Sequence, residues 1–187
     1  LLGLVLDDGY TGVTVAALLK RAAVDRETFG RHFASLDDCF AAIWETADAE
    51  LCTRMGAAFA GADPWRSRMR AAVAAGLAFL AEDEGLARLY IADVFFAGGA
   101  ARERRQASME RFAAMIDTGR REASSSFPTP AIVADGIAGG VWHCVYRLVA
   151  SGRSSELPTE LPQLMYLVVL PYLGVGVAEE ELRNPLL

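Results

Sequence analysis

Residues 14–33 read TVAALLKRAAVDRETFGRHF: an apolar-periodic run, a small-residue break at Ala22-Ala23, and a second short run that opens on acid and base and ends in an aromatic ring. Helices of about eight residues do not hold alone in water, because nucleation is costly and packing must supply most of their stability. Two in succession must therefore be braced. Thr14 is placed to cap the first and Asp25 the second, each offering a side-chain oxygen to the free N–H groups of a first turn. Val15, Leu18, Leu19 and Ala22 can then face Val24, Phe29 and Phe33, which leaves Arg26, Glu27, Thr28, Gly30 and Arg31 pointing away. Two short helices joined by a tight turn form a helix-turn-helix, whose second helix lies in the DNA major groove. The outward side chains are of types that contact bases and phosphates.

Outside this stretch the 187-residue chain reads as all-α. Hydrophobic residues make up 53% of it, Ala dominates, and alternating β-branched runs are few. The opening LLGLVLDD stops at Gly9. Ser35 and Asp38 form a weak capping box, behind which Phe40, Ile43, Trp44, Ala47, Leu51 and Met55 keep helical spacing as far as Gly61. Asp63-Pro64 reads as a cap followed by proline at the first helical position, and Trp65, Met69, Val73, Gly76, Leu77 and Leu80 trace one face. Gly85 marks a break, where motion is expected, and Gly98-Gly99 closes the LARLYIADVFFA segment. Residues 100–121 are again amphipathic. SSSFPTP, residues 124–130, is the clearest linker. Residues 131–151 are apolar on nearly every face, and a last apolar helix covers 161–173.

The run at 161–178 is broken by Pro171, Gly174 and Gly176, whereas a spanning helix needs about 20 apolar residues, so no membrane partner is expected. A helix apolar all round is more often buried between protein surfaces. The net charge of −6 does not suggest a polyanion binder, but a binding face needs only a local excess of base. Cys39, Cys52 and Cys144 are widely spaced, without CxxC or a nearby His, and read as buried free thiols in a reducing cytosol. No metal or other cofactor is expected. Nor is catalysis: there are two histidines, no G-x-S-x-G or H-E-x-x-H, and the acidic pairs Asp7-Asp8, Asp37-Asp38 and Glu82-Asp83-Glu84 fall at helix ends. His143 reads as an interior histidine.

Gly9-Tyr10, Thr14-Val15, Leu18-Leu19, the turn Ala22-Ala23-Val24-Asp25, Arg26-Glu27-Thr28-Phe29-Gly30-Arg31-His32-Phe33 and Ser35-Leu36-Asp37-Asp38 together resemble the tetracycline-repressor (TetR) family of bacterial transcriptional regulators. The resemblance implies a DNA-binding head at residues 1–45 and a larger helical effector-binding and dimerisation domain at 46–187. DNA contacts would come from Thr14, Asp25, Arg26, Glu27, Thr28, Gly30, Arg31 and His32. By spacing alone His32 is a surface histidine; the motif around it makes it a phosphate donor. The implied partners are double-stranded operator DNA, a small apolar or aromatic effector, and a second copy of the chain.

Four positions depart from the family pattern. Leu19 replaces a small residue at the helix crossing, Ala23 a turn glycine, Gly30 a phosphate-gripping Tyr, and Leu36 a Lys with the same task. Weaker operator binding follows, and the alternative is a dimeric small-molecule-binding protein with a degenerate DNA-reading head. Trp65, Phe79, Tyr90, Phe95, Met109, Phe112, Trp142 and Tyr146 are either ordinary core or the wall of an effector pocket; their bulk exceeds what an Ala-rich bundle needs. LPQLMYLVVLPYLG is similar to the last dimerisation helix of such regulators, which places Val141, Val145, Leu148, Leu164, Leu167, Val168, Pro171 and Tyr172 at a dimer interface.

Overall fold

The computed structural model describes residues 1–61, 64–123 and 129–184. The expected cap at Asp63 and residues 124–128 of the Ser/Pro linker lie outside them. Among the described residues the chain is all-helical, with no strand. Its helices are α1 (Leu2–Asp8), α2 (Val15–Ala22), α3 (Arg26–His32), α4 (Leu36–Ala60), α5 (Trp65–Glu82), α6 (Glu84–Ala87), α7 (Gly99–Asp117), α8 (Ile132–Ala150) and α9 (Leu161–Arg183). Between α6 and α7 the chain winds irregularly, through a π-helical turn at Arg88–Ala92 and a 3-10 turn at Asp93–Phe95.

Helices α2, α3 and α4 each start on a side-chain acceptor. Thr14 accepts from the Ala17 N–H at 3.1 Å, Asp25 from Thr28 at 2.7 Å and Ser35 from Asp38 at 3.1 Å. Each relieves one of the N–H groups that a helix start leaves unpaired. Pro64 is the N-cap of α5, so the helix starts one position later than expected, and the first turn is closed from a distance: the Glu122 carboxylate accepts the Trp65 N–H at 3.1 Å through either oxygen. The Trp65 ring lies over Gly119, where a Cβ would come within 2.5 Å, and meets Tyr172 edge-on at 5.2 Å.

Helices α4 and α5 run antiparallel, with Phe59 beside Arg68, Met55 beside Gly76, and Arg54 reaching Glu82 at 2.6 Å. Around them α7, α8 and α9 close a core in which Phe40, Trp44, Trp65, Met69, Tyr90 and Tyr172 are fully buried. Leu4, Val5, Tyr10, Val13 and Leu18 of the N-terminal segment belong to the same buried cluster.

α9 continues to Arg183, ten residues past its expected end. Pro171 sits inside it, and only Gly174 leaves helical angles, at φ 83. What holds the portion after the kink is Glu181, fully buried, on which the Arg66 and Arg70 guanidinium groups converge. By length and composition the segment Ser154–Arg183 could cross a bilayer, with a mean hydropathy of 1.6 in its most apolar window. Leu161, Leu164, Met165, Val168, Val169 and Tyr172 on one side of it are buried against the bundle.

Candidate functional site

α3 has no buried residue. Phe29 and Phe33, with ring centroids 5.5 Å apart, pack against the core from its inner side. Arg26, Glu27, Gly30, Arg31 and His32 are exposed, and Thr28 is half-exposed. The N-cap bond from Thr28 holds the Asp25 carboxyl below the usual carboxylate range, so the first turn carries an acceptor that stays charged. Arg31 Nη2 donates to Thr28 Oγ1 at 2.9 Å. Among the described residues the side chains of Arg26 and His32 donate no hydrogen bond to the protein, and nothing lies within 4 Å of where a Gly30 Cβ would stand. The turn before α3 contains Ala23 in the left-handed region, at φ 53 and ψ 41. That is the conformation a glycine would adopt without strain.

The segment that leads into α2 is tied to the start of α4 through Tyr10. Its hydroxyl donates to Asp37, its ring packs on Phe40 at 4.7 Å, and its backbone N–H lies close enough to Asp93 to favour the charged carboxylate. Asp93 is itself buried beside Arg88.

The bundle encloses a half-open apolar cavity of about 280 Å³. Leu51, Cys52 and Met55 of α4 line it with Val73, Gly76, Leu77 and Leu80 of α5; Tyr90 and Ile91 come from the π-helical turn. α7 gives Ser108, Met109, Arg111, Phe112 and Met115, and α8 gives Ala138, Val141, Trp142 and Val145. One end is polar. Asp48 Oδ1 accepts from Tyr90 Oη at 2.8 Å and from Ser108 Oγ at 2.6 Å, while Oδ2 accepts from Arg111. Burial first, and the Asp48 charge with it, push the Tyr90 hydroxyl well above the ordinary phenol range. Tyr90 is also stacked on Trp44, 4.8 Å away.

Of the expected pocket residues, Tyr90, Met109, Phe112 and Trp142 line this cavity. The others lie elsewhere. Trp65 is buried at the start of α5 over Gly119, and Phe79 lies under the Arg54 guanidinium, facing a shallow hollow with Ile43 and Leu86. Phe95 is exposed, with Tyr146 edge-on to it at 6.0 Å and the Arg105 guanidinium 4.7 Å above it. That same guanidinium rests on Trp142 at 4.5 Å and is held below its ordinary pKa by desolvation. Cavity residues the aromatic count did not find, such as Leu51, Gly76 and Ala138, are small or aliphatic and keep the same spacing as core.

Six of the eight expected interface residues are already buried inside one chain: Val141, Val145, Leu148, Leu164, Val168 and Tyr172. Val141 and Val145 face the cavity instead. Leu167 and Pro171 are half-exposed, on a face of α9 continued by Tyr166, Leu170 and Val177. Next to it α8 presents Gly136, Gly139, Gly140 and His143; a Cβ at Gly140 would come 3.2 Å from Leu167. His143 is thus exposed rather than interior. Cys39 is buried, as expected, while Cys52 and Cys144 are only half-buried.

Among the described residues no three His, Cys, Asp or Glu side chains gather as a metal site. No family model matches the chain, and no curated protein or solved structure is significantly similar to it.

Proposed function

We propose that this protein is a ligand-responsive transcriptional regulator of the TetR type, cytoplasmic and non-catalytic, that binds operator DNA as a homodimer and is released by a small apolar or aromatic effector. The observation that carries the reading is the exposure of α3: a capped helix with no buried residue, presenting Arg26, Arg31 and His32 to solvent while two Phe rings anchor it. A helix so short persists only because its neighbours brace it, and the polar face it shows is of the kind that enters a major groove. α2 and α3 would be the helix-turn-helix, the cavity the effector site, and the exposed α8/α9 face the contact between copies. Effector binding would favour the conformer with the wrong head spacing, by no more than its differential affinity for the two states.

A second reading has its own support. Residues 1–45 hold four cationic side chains against seven acidic ones, and Gly30 offers a phosphate no side chain. That fits a dimeric ligand-binding protein whose DNA-reading head has degenerated. Binding of the full chain to its own upstream DNA, measured across salt, separates the two. A regulator gives specific binding that weakens steeply with salt, because each phosphate contact releases counterions. A flat, sequence-independent response leaves the ligand-binding protein.

A further inference from the structure

At the polar end of the cavity every hydroxyl proton is committed. Tyr90 Oη and Ser108 Oγ lie 2.8 and 2.6 Å from Asp48 Oδ1, and 3.2 Å from each other. Each hydroxyl has one proton, and the carboxylate has only lone pairs. Whether both donate directly or Tyr90 donates through Ser108, no proton is left over. Ser108 therefore offers the cavity a lone pair. Arg111 spends Nη2 on the other Asp48 oxygen and keeps further N–H groups beside the same space. The remaining wall is almost wholly aliphatic, aromatic or thioether.

An acceptor and a cationic donor side by side are satisfied together by one group that both donates and accepts. A carboxylate has no proton for Ser108 and lies against the Asp48 charge. An ammonium meets Arg111. An ether or ketone can use Arg111 but leaves Ser108 unpaired, and a hydrocarbon leaves both, which is costly once the ligand has displaced the water there. We infer that the cavity takes an uncharged apolar molecule bearing one hydroxyl group, a phenol or an alcohol, with that hydroxyl seated between Ser108 and Arg111. This deepens the effector reading and rests on the cavity being a ligand site; it is independent of whether α3 binds DNA.

Calorimetric titration of the full chain at pH 7 with 2-naphthol, 2-methoxynaphthalene, 2-methylnaphthalene and 2-naphthoate tests it. A phenol is uncharged there, its pKa being about 10. The expected result is 2-naphthol binding about tenfold more tightly than 2-methylnaphthalene, the equivalent of one hydrogen bond shielded by the bound ligand. In Ser108→Ala that preference disappears while 2-methylnaphthalene binds as before, and Ser108→Thr restores it. Equal affinities, naphthoate binding tightest, or a hydroxyl preference that survives Ser108→Ala overturns the ligand class and leaves the cavity as a site. Binding of none of the four overturns the cavity reading as well.

Discussion

The Asp93 carboxyl group is buried close to the backbone N–H of Tyr10, with Arg88 Nε 3.7 Å away. It stands directly after the turn whose Tyr90 and Ile91 wall the cavity, and Tyr10 in turn holds Asp37 at the start of α4. One contact thus joins the cavity wall to the base of the polar helices.

Burial raises the Asp93 pKa above its ordinary 3.8, and Arg88 and the Tyr10 N–H only partly oppose the shift. The folded state therefore keeps this proton to higher pH than the unfolded chain. Its contribution to stability is lost as pH rises from the ordinary carboxylate value through the folded one. Asp93→Asn keeps an oxygen near the Tyr10 N–H and removes the titration. Its stability relative to the parent is expected to be higher at pH 7 than at pH 4, read by urea unfolding at both. A difference independent of pH would show that Asp93 ionises without penalty.

Glu181, with no exposed surface, receives both Arg66 and Arg70, the latter at 2.5 Å. Removing its charge leaves two guanidinium groups facing a neutral amide, one of them buried. Glu181→Gln should destabilise by about 3–5 kcal/mol, as breaking one side of a buried pair does. Glu180 also binds Arg66, but at the surface, and Glu180→Gln should change stability by about 1 kcal/mol or less. Denaturant unfolding of the two variants checks the contrast.

Ala23 adopts a left-handed conformation that costs a non-glycine residue about 1–2 kcal/mol. Ala23→Gly should recover roughly half of this, or about 1 kcal/mol, after the extra freedom glycine has in the unfolded chain. Thermal unfolding would show a higher midpoint. A lower one would mean that the turn tolerates the Ala Cβ at no cost.

The caps were legible because their chemistry is local: Thr14, Asp25 and Ser35 each bond to the N–H three residues on. Gly85 was misread for a reason equally physical. The break falls at Asp83, whose side chain accepts the Leu86 N–H at 2.9 Å, and Gly85 is small because Leu2 approaches to 3.2 Å of where its Cβ would be. A glycine required by a contact from a distant segment looks in sequence like one required by a turn. The π-helical turn leaves no periodic signal. The cavity was found only where aromatic bulk marked it, since Leu51 or Val73 on a core-facing stripe reads the same with or without an empty space beside it. α8 and the first half of α9 are apolar on nearly every face, so periodicity could not separate the half buried in the chain from the half left outside.

Gly76 gives a test of that empty space. A Cβ there would stand 3.1 Å from the Met55 sulfur and 3.5 Å from Leu51 Cδ1, and all three residues line the cavity. The Met55 end is flexible and can shift, taking up volume a ligand would fill. Gly76→Ala should stabilise α5 by about 0.5–1 kcal/mol through helix propensity. It should also weaken 2-methylnaphthalene binding by about fourfold, the worth of one methylene of apolar contact. Unchanged affinity would place the ligand away from α5.

The outer face of α8 and α9 decides whether copies pair there. Tyr166, Leu167, Leu170 and Pro171 are half-exposed beside the small-residue strip Gly136, Gly139 and Gly140, which lets another backbone approach closely. A two-fold contact sets each such residue against the same patch on the other copy, so one charged substitution enters twice. Leu170→Asp should then yield a folded monomer in sedimentation velocity, with helical content unchanged and the naphthalene probes still bound, because none of the cavity residues lies on that face. Val168→Asp, buried within the chain, should instead unfold it. If Leu170→Asp sediments as the parent does, copies do not pair through this face. If the parent is itself monomeric and partitions onto lipid vesicles, the apolar face of Ser154–Arg183 meets a bilayer rather than a second copy.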